Sequence, residues 1–272
     1  MPIELNALLT CLQLEEIEAG AVWRGGNLDL NYHRVFGGQI LAQAITVLGL
    51  ASPSKAVKSF TMLFPREGDS SKPLDYQVIR HQDGRTFGAS SVVVSQEGKV
   101  VATAQASMHV PDTDLGPSAQ LQAPALGGPE DAVAGDRGVV PGEVRVVGDV
   151  DLSKTESGPA EFAVWWRDGA QATDEGTSQA LVSHATDLTI IGTALRPIEG
   201  LSQTDSGKRF HSAVTSHSLW FHRPFTSSDW LLISQTSPVL TGSRAYGRGD
   251  VHRVDGQLVA SFAQEAMVRP LT

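Results

Sequence analysis

The sequence predicts an α+β protein built from two tandem copies of one unit, each an antiparallel sheet wrapped around a buried helix. Three observations carry this. Gly98-Lys99-Val100-Val101-Ala102-Thr103 is echoed 158 residues later by Gly256-Gln257-Leu258-Val259-Ala260-Ser261. In the same order, residues 59–65 fall beside residues 217–224, and Gly84-Arg85-Thr86-Phe87 falls near Ser243-Arg244-Ala245-Tyr246. A repeat this long is a duplicated domain, since solenoid periods are roughly 20–50 residues. Next, residues 39–50 are apolar almost all round, which marks a helix enclosed by other structure. Finally, residues 111–160 hold eight Gly and six Pro with no sustained period, a break between two periodic halves.

The elements follow in order. Residues 1–16 carry acids where a secretion signal needs positive charge, so no targeting segment is expected. The first helix, residues 39–50, presents Ile40, Leu41, Ala42, Ala44, Ile45, Val47 and Leu48. It also contains Gln39 and Gln43 and is too short to span a bilayer. Strands rich in Val, Thr and Ser come next, with a turn at Gln82-Asp83-Gly84. Within 111–160 only residues 139–150 alternate well enough for a strand, and a connection of this length is unusual inside one domain. The predicted units are therefore 1–110 and 161–272, joined by an acidic Gly/Pro-rich linker, 111–160. The second copy opens with a helix over residues 178–191, followed by strands with a turn at Val254-Asp255-Gly256. Antiparallel strands around a buried helix are the hot-dog arrangement. Two copies make a double hot dog, whose halves pair as two subunits would.

Composition narrows the function. A hydrophobic fraction of 41% in 272 residues supports a full core. Thirty acidic against 21 basic residues, a net charge of −9, excludes a general nucleic-acid binder. The charge is unevenly spread. Residues 1–110 carry 9 basic and 10 acidic groups and residues 161–272 carry 9 and 11, whereas 111–160 carry 3 and 9. The folded halves are nearly neutral, so a phosphate-bearing ligand is compatible with them. The single cysteine, Cys11, excludes a disulfide framework and a cysteine-built zinc site, and is expected to be inert. His217 and His222 are five apart on a predicted strand and face opposite ways, so no metal site is expected. The C-terminus, Arg269-Pro270-Leu271-Thr272, is no peroxisomal address. A cytoplasmic protein without cofactor, metal or membrane contact is the expectation.

Four ordered blocks carry a resemblance. Arg34-Val35-Phe36-Gly37-Gly38-Gln39-Ile40-Leu41-Ala42-Gln43-Ala44 closely resembles the opening motif of the acyl-CoA thioesterase II family. So do Asp83-Gly84-Arg85-Thr86-Phe87, then Trp220-Phe221-His222-Arg223-Pro224-Phe225 with Asp229-Trp230-Leu231-Leu232, and then residues 256–261 leading into Gln264-Glu265. The resemblance implies a double hot dog that hydrolyses fatty acyl-CoA to free acid and CoA, without a metal, in a homo-oligomer.

Thioester hydrolysis needs an activated water, a group to hold the carbonyl oxygen, and a channel for the acyl chain. Asp187, in Ser183-His184-Ala185-Thr186-Asp187-Leu188, lies well inside the predicted second helix, where burying a carboxylate requires a reason. Its bland reading is a carboxylate solvated or satisfied by Thr186 or Thr189. The resemblance implies that it is the general base. Gln264 matches the family's catalytic glutamine and would orient the water. Its counterpart in the first copy is Ala106, so one site per chain is expected. The family's third group, a hydroxyl, falls on Val214, which cannot hydrogen-bond a water. Ser216, two residues on and on the same strand face, would be the substitute. Gly37 and Gly38 open the first helix, where free backbone N–H groups favour an oxyanion, though two glycines also permit tight packing. Arg34, Arg66, Arg85, Arg223 and Arg244 are scattered candidates for the CoA phosphates, and Ser91 stands where the family often carries Arg. Trp220, Phe221, Phe225 and Trp230 read as core or interface. Two other readings stay open: an acyl-CoA-binding protein weakened in catalysis, motivated by Val214, and a hot-dog enoyl-CoA hydratase.

Overall fold

The computed structural model describes residues 3–111, 119–135, 138–169 and 174–271. The first half contains α1 (Leu5–Cys11), β1 (Glu15–Glu18), β2 (Val22–Gly25), α2 (Gly37–Ala51), β3 (Ala56–Leu63), β4 (Leu74–Asp83), β5 (Phe87–Gln96) and β6 (Lys99–His109). The middle contributes β7 (Val133–Gly135) and β8 (Glu143–Val146). The second half contains β9 (Glu161–Arg167), α3 (Glu175–Thr186), α4 (Ile190–Leu195), β10 (Phe210–Phe221), β11 (Leu231–Thr241), β12 (Arg244–Arg253) and β13 (Leu258–Pro270). These strands form one antiparallel sheet in the order β1-β2-β4-β5-β6-β3-β10-β13-β12-β11-β9-β8-β7. The two halves of this double hot dog join at β3 and β10, where Thr61 lies opposite Ser218. Their hydroxyls are 3.0 Å apart, on the pseudo-twofold axis between the copies.

The inner face of the sheet wraps α2 and α3. On β5 every second residue is buried, so Val92 and Val94 turn inward while their neighbours face out. α2 carries no charged side chain, and its buried glutamines are fully engaged. Gln43 Oε1 accepts from Tyr76 Oη at 2.6 Å and from Gln39 Nε2 at 3.1 Å. Gln43 Nε2 donates to the carbonyls of Cys11 and Gly26 at 2.8 and 2.9 Å. A buried amide without such partners would cost about 1–3 kcal/mol, so these bonds pin the N-terminal segment to α2. Burial pushes the Cys11 thiol up to about 11, which suppresses the reactive thiolate.

Two elements differ from the sequence expectation. The second helix is not continuous over 178–191: α3 ends at Thr186, residues 187–189 turn, and α4 begins at Ile190. Thr186 Oγ1 lies 3.2 Å from the Ser183 carbonyl, and Asp187 becomes the C-cap of α3. The linker is partly built into the body. β8 pairs with β9, and Trp166 Nε1 donates to the Pro141 carbonyl at 2.9 Å. Arg145 and Arg167 lie over the ring of Trp230, 5.1 and 4.7 Å from its centroid. Gln120 brackets the β12–β13 turn, bonding the Gly256 carbonyl and the Leu258 N–H. Among the described residues, no helix is long and apolar enough to cross a membrane.

Candidate active site

The N-terminus of α2 meets the C-terminus of α3. A carboxylate at the end of its own helix opposes that helix's dipole, but Asp187 is turned to the positive end of α2 and accepts a hydrogen bond from the Gly38 N–H. The two glycines make this approach possible. A Cβ at Gly37 would lie 2.8 Å from Asp187 Oδ2, and one at Gly38 would lie 2.7 Å from the His184 carbonyl. The tight packing that two glycines permit is present here, and it delivers the Gly38 N–H to the carboxylate. The Gly38 N–H is already given to Asp187, while Gly37 lines the adjoining cleft.

Asp187 is buried, with 2% of its surface exposed, and its Oδ1 has no hydrogen-bond partner. Burial outweighs the single Gly38 bond and pushes the carboxyl up to about 7. Thr189, a partner in the bland reading, instead donates to Gln235 Oε1 at 3.1 Å. Behind Asp187 stand Gln264 and His217, directly opposite each other on β13 and β10 and so on one face of the sheet. His217 Nδ1 is 3.0 Å from Gln264 Oε1 and 3.7 Å from Asp187 Oδ1, and His217 Nε2 is 3.2 Å from Thr186 Oγ1. Burial pushes His217 down to about 4, so it is neutral and forms no ion pair with Asp187. Gln264 Nε2 is also buried without a partner. An acceptor and a donor, both unsatisfied, thus border the same imidazole.

Ser216 is not brought to this cluster. Strand alternation does not hold through the segment: Val214 pairs with Ala266 and Ser216 with Glu265, leaving Thr215 as the extra residue of a bulge. Past the bulge His217 points inward, so its neighbour Ser216 points outward with Ser218. Val214 and Thr215 both line the cleft, but the Thr215 hydroxyl is bonded to Glu265 at 2.9 Å. The cleft has a volume of about 810 Å³. Asp187 and Gly37 lie in it, Phe36, Ile40, Leu188, Ile191 and Met267 give it apolar walls, and Arg34, Arg66 and Arg269 are at its exposed side. Arg85, Arg223 and Arg244 lie elsewhere. Arg223 bonds the Leu258 carbonyl and Arg244 pairs with Glu265.

Comparison with known proteins decides the family. The model of the acyl-CoA thioesterase N-terminal domain matches residues 28–109, and that of the acyl-CoA thioesterase C-terminal domain matches residues 119–268. The chain belongs to the acyl-CoA thioesterase family. It is 32% identical to acyl-CoA thioesterase 2 of Haemophilus influenzae over 97% of this chain and 98% of that protein. It is 28% identical to acyl-coenzyme A thioesterase 8 of Homo sapiens over 98% and 91% of the two chains. Among solved structures, the tesB protein of Mycobacterium avium subs paratuberculosis matches with a TM-score of 0.81 and 27% identity, covering 98% of this chain and all (100%) of that one. The acyl-CoA thioesterase II TesB2 of Mycobacterium marinum matches with a TM-score of 0.78 and 28% identity, over 98% and 99%.

In this thioesterase, sequence reasoning located Asp187, Gln264 and the Gly37-Gly38 turn, which the fold brings to one place. It weighed Thr186 only as a partner for Asp187 and His217 only as a metal ligand, and did not anticipate their contact with each other and with Gln264. The odd spacing of His217 and His222 did separate their faces: His217 is buried, while His222 is exposed and 2.9 Å from Ser261 Oγ. That His217 sits opposite Gln264 is a matter of strand register, which no local pattern contains.

Proposed function

We propose that this acyl-CoA thioesterase hydrolyses fatty acyl-CoA with Asp187 as the general base. The observation that carries the reading is a buried carboxylate that lines an apolar cleft and has an unpartnered Oδ1, with Gln264, whose Nε2 is also unpartnered, behind it. A water between Asp187 Oδ1 and Gln264 Nε2 would satisfy both atoms. Asp187 takes one proton of the water as its oxygen attacks the thioester carbon. The carbonyl oxygen becomes an oxyanion at the N-terminus of α2, where Gly37 is positioned to receive it. Collapse breaks the C–S bond, and the proton held by Asp187 goes to the departing sulfur, so free acid and CoA leave. The apolar walls, Val214 included, suit a fatty acyl chain. Arg34, Arg66 and Arg269 suit the phosphates of CoA.

Release of free thiol from a panel of acyl-CoAs tests this. Asp187→Asn should lower kcat by about 10²–10⁴-fold, the usual contribution of a general base. Equal rates would remove Asp187 from the mechanism, and thermal stabilisation of the wild type by acyl-CoA without turnover would select a binding protein instead. We further infer a cytoplasmic homo-oligomer. The reading is supported by the unpaired Cys11 and by outward-facing Leu63 and Trp220, which are 54% and 41% exposed. Sedimentation equilibrium at a monomer mass of 28.9 kDa would reject it.

A further inference from the structure

His217 has no part in the steps above, yet it lies against Asp187, Gln264 and Thr186. It is buried, and its ring stacks on Phe262 with centroids 5.9 Å apart and planes 7° from parallel, so the ring plane is held. Two atoms lie on its Nδ1 side, Gln264 Oε1 at 3.0 Å and Asp187 Oδ1 at 3.7 Å. An amide oxygen only accepts, and an ionised carboxylate only accepts. A lone pair on Nδ1 would face two acceptors. The single N–H of the neutral ring therefore belongs on Nδ1, and Nε2 is left to take the Thr186 hydroxyl proton at 3.2 Å in place of the Ser183 carbonyl, which lies equally far from that hydroxyl.

This tautomer decides which end of Gln264 meets the water. A glutamine amide has two ends of nearly equal size and opposite polarity. With Oε1 held by the Nδ1–H, Nε2 is left as the free end, and it is the atom without a partner. A reversed amide would turn the Nε2 donor against the Nδ1–H and would leave the water between two acceptors, with no group donating to its oxygen.

We propose that His217 is a positioning residue that fixes the orientation of the Gln264 amide, so that Nε2 donates to the water held by Asp187. Thr186 is the outer link, holding the imidazole in the required tautomer. The inference rests on Asp187 acting as the base.

Three substitutions separate the two ring nitrogens. His217→Asn keeps an N–H donor near the Nδ1 position, His217→Gln places its amide near Nε2, and His217→Phe keeps a ring and removes both. Each is made in the wild type and in Gln264→Ala, and kcat and KM are measured by thiol release alongside Asp187→Asn. His217→Phe should lower kcat by about 10–100-fold, the scale of a misplaced reacting group. KM should stay within about twofold, because ground-state binding is untouched. His217→Asn should recover most of the loss and His217→Gln should not. In Gln264→Ala, the change at position 217 should cost nothing further. Losses that multiply in the double variant, or equal rates for Asn and Gln, would overturn the proposal. If the Phe variant does not fold, the Asn–Gln contrast, with melting temperatures for both, decides alone. An active Asp187→Asn would instead overturn the base assignment, whatever the variants at position 217 show.

Discussion

The helix pair has two ends, and the described residues furnish them with different polar groups. At the working end the N-terminus of α2 faces Asp187, a carboxylate from the other half, and spends the Gly38 N–H on it. At the opposite end the N-terminus of α3 is capped from its own half. Asp174 accepts from the Thr177 N–H at 2.8 Å and from the Thr177 hydroxyl at 2.7 Å. Near the end of α2, Gly49 faces the N-terminus of α3 across a cavity and offers no carboxylate. The sheet repeats the contrast. Where β10 and β13 bring His217 opposite Gln264, β3 and β6 bring Phe60 opposite Ala106. A smaller cavity of about 440 Å³ remains there, lined by Ile45, Gly49, Lys55 and Gln179. One backbone thus builds two clefts, and under the proposed mechanism the three contrasts at Asp187, His217 and Gln264 set the water-activating one apart.

The sharpest way to break the comparison is at the glycines. Gly38→Ala puts a methyl group 2.7 Å from the His184 carbonyl, where backbone must move. Activity should fall by about 10²-fold or more as Asp187 loses its place. Gly49→Ala, at the silent end, meets nothing within 4 Å. It should leave kcat unchanged and raise stability by about 0.5–1 kcal/mol, the helix preference of Ala over Gly. Thermal melts and thiol-release rates on both variants test the pair.

The next effect is on pH. Asp187 acts only when ionised, so kcat should rise with pH to a plateau, with a midpoint near 7. Stability should move the other way. The folded carboxyl binds protons up to about 7 against an ordinary 3.8, so its contribution is present at low pH and lost as pH rises through 7. His217 has the opposite sign. Its folded value of about 4 lies below the ordinary 6.5, so it adds stability as pH rises across that window. Above pH 7 only the Asp187 penalty remains. Asp187→Asn should therefore melt higher than wild type at pH 8, by an amount on the order of 1–3 kcal/mol, while losing activity. A lower melting point at pH 8 would mean that the carboxylate is better satisfied than its burial implies.

A smaller difference concerns the strand pair. Gln264→Ala should lower kcat by about 10–100-fold through loss of the water's orienting donor. The mirror change, Ala106→Gln, should create no second activity in an Asp187→Asn background, because Asp174 at that end is taken up in capping α3. The smallest effect is expected at the rim of the cleft. Arg66→Ala or Arg269→Ala should raise KM about two- to fivefold at low salt and less at high salt, since exposed charges are screened within a Debye length of about 8–10 Å. An unchanged KM would place the CoA phosphates elsewhere.

Much of this architecture is written in local patterns. The all-apolar run of α2 requires a helix with no solvent face, and the echo at 158 residues requires a second such unit. Gly/Pro punctuation places the break between them, although β7 and β8 show that short alternating pieces inside it still find a sheet edge. Asp187 was legible because a carboxylate in a helix destined for burial has a cost. Its true place, at a helix end rather than within one, was not, because propensity does not reveal that Asp187 would turn to another helix.

The tertiary structure alone decided the rest. Alternation assigned Ser216 to the face of Val214, and a single bulge residue, Thr215, reversed the assignment, since one extra residue shifts every later side chain to the opposite face. Register put His217 opposite Gln264, and the packing of two helix ends set Gly38 against Asp187. By itself the sequence determined which residue types and periods could form two wrapped helices, because burial patterns are local. Which polar atoms would meet in the space between them, and which would be left without a partner, depends on contacts between residues far apart in the chain, and only the folded arrangement contains those.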